Sequence, residues 1–102
     1  MEEYHMPTYI SLLRYTQQGI NAAKTAPARI DAAKEAYRKA GGDFKAIYLT
    51  MGQYDLVAIA EMPNDEAVAR MALVLSAQGN VRSETFRAFT ETEFRKIAAS
   101  LP

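Results

Sequence analysis

A chain of 102 residues without cysteine has room for one modest core and none for disulfides, thiolate metal sites or cysteine nucleophiles. Its 12 basic and 12 acidic side chains cancel to a formal net charge of zero, which removes the electrostatic footprint of a general nucleic-acid binder. No apolar run is long enough to span a bilayer, and Met1-Glu-Glu-Tyr-His-Met-Pro7 lacks the basic and apolar regions of a secretory signal, so a cytoplasmic protein is expected.

Met6-Pro7 reads as an alternative start, which makes residues 1–6 an extension, expected to be flexible, ahead of a single domain over 7–102. The only histidine, His5, lies in that extension, where Glu2, Glu3 and His5 offer at most a weak metal site. No cofactor or resident metal is expected. Residues 8–15, TYISLLRY, are rich in β-branched and aromatic residues and read as a strand. A helical turn is expected over 19–24. The next helix covers 27–40, with Thr25 as its N-cap, Pro27 in its first turn and Gly41-Gly42 as its stop. Its apolar face is Ile30, Ala33, Tyr37 and Ala40.

Two strands follow, at 44–51 and 54–61. Asn64-Asp65-Glu66 then opens a helix to about Gln78, with Val68, Met71, Ala72 and Leu75 as its stripe. Gly79-Asn80 ends it, and 81–89 is a fourth strand. Thr90-x-x-Glu93 is a capping box for a short last helix carrying Phe94, Ile97, Ala98 and Leu101. This order predicts an α+β, ferredoxin-like βαββαβ fold: a four-stranded antiparallel sheet, two helices on one face, and a short C-terminal helix.

A type II′ turn at Gly52-Gln53 sets the hairpin register. Leu49, Ile47, Leu56, Ala58 and Ala60 then lie under the helices. Phe44, Ala46, Tyr48 and Thr50 face the other way with Glu61, Ile59, Val57 and Asp55. Both faces are apolar at the centre, and two helices cover only one. The second face is expected to meet another copy of the chain; the competing reading folds the C-terminal helix back over it.

Five ordered segments, Pro7-Thr-Tyr-Ile-Ser-Leu-Leu-Arg-Tyr-Thr16, Pro27-Ala-Arg29, Leu49-Thr-Met-Gly-Gln-Tyr-Asp55, Glu61-Met-Pro63 and Gly79-Asn-Val-Arg-Ser-Glu-Thr85, resemble the GYD domain family. The resemblance runs from Pro7 to Pro102 and implies a ferredoxin-like fold of the dimeric α/β-barrel type, from a family of unestablished role. The half from Gly52 to Thr85 is similar, more distantly, to the effector-binding domain of leucine-responsive-type transcription regulators, which sense amino acids between subunits.

Gly52 is explained by the turn, where positive φ suits glycine. Asp55 is unusual in a strand and either caps turn amides, pairs with an arginine such as Arg14, Arg82 or Arg87, or contacts a ligand. Glu61 is either a solvated strand end or a buried base. Arg82 and Thr85 are candidates to hold a small carboxylate, through the bidentate fork of a guanidinium. Tyr48 and Tyr54 complete the candidate ligand set with polar-tipped rings. The functional expectation is a homodimeric or larger module binding a small anionic or aromatic metabolite, with no nucleic-acid or membrane partner. Two alternatives stand beside it: a cofactor-free monooxygenase- or isomerase-like enzyme, using Asp55 or Glu61 as base and Tyr48 or Tyr54 as donor, and a purely structural assembly subunit.

Overall fold

The structure is a computed structural model describing residues 5–102; residues 1–4, most of the expected extension and with them Glu2 and Glu3, lie outside the described part. The chain is tied down from Pro7, whose carbonyl accepts the Met62 N–H at 3.1 Å. Strand β1 (Thr8–Tyr15) leads through a short helix α1 (Gln17–Asn21) and a 3-10 turn (Ala23–Thr25) into helix α2 (Ala26–Lys39). Strands β2 (Asp43–Leu49) and β3 (Leu56–Glu61), helix α3 (Asp65–Ala77), strand β4 (Val81–Ala88) and helix α4 (Glu91–Ala99) follow. The four strands form one antiparallel sheet in the order β2-β3-β1-β4. This is the ferredoxin-like arrangement that the element order predicts.

Alternation along β3 explains the layering. Leu56, Ala58 and Ala60 are buried, while Val57, Ile59 and Glu61 are only half-buried. Small buried residues let α2 and α3 approach the sheet, and the core forms there from Tyr9, Tyr37, Ala60, Met62, Val68 and Met71. Asn64 caps α3 by accepting from Ala67 N at 2.9 Å. Thr25 does not act as the expected cap of α2. Its backbone is not extended, its hydroxyl donates to Ala22 O at 3.0 Å, and the 3-10 turn carries the chain into the helix instead.

The hairpin register holds from Leu49↔Leu56 to Ala46↔Ile59, then shifts at Lys45 so that Phe44 pairs with Ala60 and Asp43 with Glu61. This bulge corrects the expectation for Phe44. One extra residue turns its ring to the helix side, where it meets Tyr37 edge-on with centroids 5.2 Å apart. The strands also stop earlier than expected: the closing bond runs from Thr50 N to Asp55 O at 2.8 Å, leaving 51–54 as a loop. Gly52 has the positive φ, 105°, expected of it. Leu49 is a further correction, because the hairpin reaches beyond the helix layer and leaves it 78 % exposed.

Helix α4 does not fold back over the open sheet face. Phe94 and Leu101 are each 66 % exposed, and α4 makes no substantial contact with any other element. The molecule is therefore a slab of 51 × 31 × 19 Å with a radius of gyration of 15.1 Å, where a compact chain of this length gives about 13 Å. Its accessible surface is 7311 Å², well above the roughly 5,700 Å² expected of a monomer of this mass. No described helix is long and apolar enough to cross a membrane.

Candidate functional site

Two surfaces carry chemistry, one on each side of the sheet. On the open side, cross-strand neighbours Ile10, Leu12, Val57, Ile59 and Phe86 form an apolar centre, with Tyr48 59 % exposed on the edge strand β2. Its rim is charged. Arg14 and Arg82 sit opposite one another on β1 and β4, and Glu84 lies one residue pair further along the same face. Tyr54 crosses onto this corner. Its hydroxyl donates to Glu84 Oε2 at 2.9 Å, and the Arg14 guanidinium lies 4.7 Å from its ring centroid while donating to Gln53 O at 2.9 Å. The bond to the Glu84 carboxylate, with desolvation second, holds the Tyr54 phenol above its usual pKa of 10.0.

The site residues expected from the sequence therefore separate. Tyr54 and Arg82 share the Arg14 corner of the open face. Asp55 does not reach into it: its carboxylate accepts the Tyr15 N–H at 2.8 Å, closing the backbone where β1 leaves the sheet. Glu61 stands at the opposite end of β3, with Lys45 Nζ 3.7 Å away and Asp43 2.8 Å from the same ammonium. Thr85 points to the helix side, bonded to Ser11 through their hydroxyls at 2.8 Å. Arg82 and Thr85 are three residues apart on one strand and so face opposite ways, which rules out their holding one ligand together.

On the helix side, α2 and α3 splay apart over the sheet and leave a groove of about 100 Å³ open to solvent. Its floor is Ser11, Leu13, Leu56 and Ala58, with Ala33 on one wall and Ala72 and Leu75 on the other. Arg29, in the first turn of α2, lines the end near Tyr15 and Asn80. Its Nη1 donates to Ala22 O at 3.1 Å and to Thr25 Oγ1 at 2.9 Å, while Nη2 is buried and meets no acceptor among the described residues. The sequence marks Arg29 only as part of a helix start. The available signal is electrostatic: a cation in the first turn opposes the helix dipole, so such a residue is placed there against local preference. No Asp or Glu is among the described lining residues, and among the described residues no three His, Asp or Glu side chains gather as a metal site requires.

Comparison with known proteins gives one family and two relatives. The family model described as GYD domain matches residues 9–98. The chain is 34 % identical over 84 residues to the "Glutamine synthetase and cystathionine beta-lyase binding protein" of Thermus thermophilus, covering 81 % of this chain and 88 % of that protein. It is also similar to the crystal structure of TTHA0845 from Thermus thermophilus, with a TM-score of 0.51 and 28 % identity over 83 % of this chain and 95 % of the other.

Proposed function

Because the chain belongs to the GYD domain family, we propose that it is a regulatory binding module that self-associates through its open sheet face and acts by docking on an enzyme. The observation that carries this reading is the uncovered apolar centre of Ile10, Leu12, Val57, Ile59 and Phe86, on a chain whose surface exceeds that of a compact monomer by about 1,600 Å². That excess is about twice the roughly 800 Å² that each partner buries in a standard stable interface. Helix α4 supports the same reading. It spans 9 residues, where isolated helices below about 12–15 residues are marginal in water. Packing of its Phe94, Ile97 and Leu101 stripe against a second copy would supply what its own chain does not.

The relative's name adds protein partners to self-association, since that protein is described as binding glutamine synthetase and cystathionine beta-lyase. The alternative of cofactor-free catalysis needs a carboxylate inside a cavity. Asp55 is committed to Tyr15 N–H, Glu61 is held near Lys45, and neither lines the groove.

The test is sedimentation of the purified chain at micromolar concentration, followed by titration with the source organism's own glutamine synthetase in biolayer interferometry. The reading expects a mass at least twice 11.3 kDa and saturable binding that Ile59→Glu weakens. A monomer that binds no enzyme overturns it.

A further inference from the structure

We propose that the groove between α2 and α3 is a binding site for a small carboxylic acid with an aliphatic or aromatic tail, with Arg29 as its carboxylate anchor. The site lies on the opposite side of the sheet from the association surface and goes beyond the reading above.

The starting point is an unpaired charge. Arg29 keeps its guanidinium in place by two bonds from Nη1, to Ala22 O and Thr25 Oγ1, yet its Nη2 is buried with no acceptor among the described residues. A buried donor on a charged group that goes unsatisfied is costly, and folded chains seldom keep one without a use. Among the described residues no ion pair engages Arg29, and the lining of the groove holds no carboxylate to neutralise it. With Nη1 engaged by Ala22 O and Thr25 Oγ1, the edge of the guanidinium left for a ligand is the one formed by Nε and Nη2. There the planar fork matches two carboxylate oxygens.

The rest of the groove selects the tail. Leu13, Leu56, Ala58, Ala72 and Leu75 present hydrocarbon along its length. Among the lining residues, the Ser11 and Thr85 hydroxyls share one hydrogen bond at 2.8 Å. Two hydroxyls carry two protons, so one remains to donate to a polar substituent of the ligand. The volume of about 100 Å³ is well below the roughly 300–1,000 Å³ of sites for drug-sized ligands. That size suits a metabolite of a few carbons and excludes a nucleotide cofactor. Arg29 is the single cationic side chain among the described lining residues, which suits a singly charged head better than a phosphate.

The experiment is isothermal calorimetry on the full chain in whatever assembly it adopts. The probes are isovalerate, 4-methylvalerate and phenylacetate, the primary amide of each, and inorganic phosphate. At least one carboxylate is expected to saturate one site per chain, with its neutral amide and phosphate at least tenfold weaker. Arg29→Gln is expected to lose at least tenfold in affinity for that carboxylate. Ala72→Leu, which fills the groove from its wall, is expected to abolish binding while leaving the far-ultraviolet circular dichroism and the sedimentation mass unchanged. Absence of saturable binding by every carboxylate overturns the proposal. So does equal binding by the amides or by phosphate, or undiminished binding in Arg29→Gln or in Ala72→Leu.

Discussion

Asp55 shows how a residue chosen as a functional candidate is accounted for by one backbone amide. Its carboxylate accepts the half-buried Tyr15 N–H at 2.8 Å, at the point where β1 has no further strand partner for that group. Asp55→Ala is therefore expected to cost about 1–3 kcal/mol in urea unfolding, the penalty for leaving a donor unsatisfied. Asp55→Asn retains an acceptor oxygen in the same place and is expected to lose less than half of that. Gly52 carries a separate and purely conformational cost. Its φ of 105° has open space around the position of a Cβ, so Gly52→Ala meets no clash, and the expected loss of about 1–3 kcal/mol comes from backbone strain alone. Both residues are legible as a pair with different jobs, since the turn explains the glycine and strand propensity flags the aspartate. Which amide Asp55 serves is not legible, because Tyr15 is 40 residues away in sequence. Arg29 escapes a sequence reading for a similar reason: its buried Nη2 depends on how α2 meets the 3-10 turn, which no local pattern encodes.

At the scale of elements, periodicity is a sound guide where an element packs on one side only. The alternation in β3 and the stripe of α3 place their core residues correctly, with Val68 and Met71 buried. It fails at Lys45, where a bulge reverses the parity of the strand and brings Phe44 beneath α2. A two-residue period has no means of announcing its own interruption. Phe44→Ala is accordingly expected to destabilise by about 2–3 kcal/mol, somewhat less than a fully buried phenylalanine, whereas a ring on the open face would cost a monomer little. Helix α4 is legible down to its capping box. Thr90 Oγ1 accepts from Glu93 N at 3.1 Å, and Glu93 Oε1 accepts from Thr90 N at 2.9 Å. That backbone bond from Thr90 holds the Glu93 carboxyl below its ordinary value of 4.5. A depressed folded-state pKa gives stability that is full above the unfolded value and lost as pH falls through the folded one. Amide exchange at 94–99 is therefore expected to be slow above about pH 5, after correction for intrinsic rates, and to quicken below pH 4.5. Thr90→Ala should remove most of that difference.

For the whole molecule, the decisive quantity is the mismatch between mass and surface. A chain of 11.3 kDa exposing 7311 Å², with Phe86, Phe94 and Tyr48 among its exposed side chains, has more accessible surface than a compact isolated domain of its size retains. Strands apolar on both faces announce this in the sequence, but they leave open whether α4 serves as the missing cover. The structure removes that option by projecting α4 away from the sheet. If a second copy supplies the cover, folding and association are linked, and thermal stability depends on protein concentration. A tenfold dilution then lowers Tm by roughly 3–5 °C, measured by circular dichroism across two decades of concentration. Ile10→Glu places a charge at the centre of the open face between Ile59 and Phe86. It is expected to give a monomer of lower and concentration-independent Tm, because an unpaired buried carboxylate in an interface is costly and easily solvated in the free chain. Leu73→Glu, on the outer face of α3 where the native side chain is already 73 % exposed, is expected to leave both Tm and its concentration dependence in place. An Ile10→Glu chain that keeps the wild-type mass and dilution curve would place the self-association surface elsewhere, on α3 or at the hairpin tip around Leu49 and Met51.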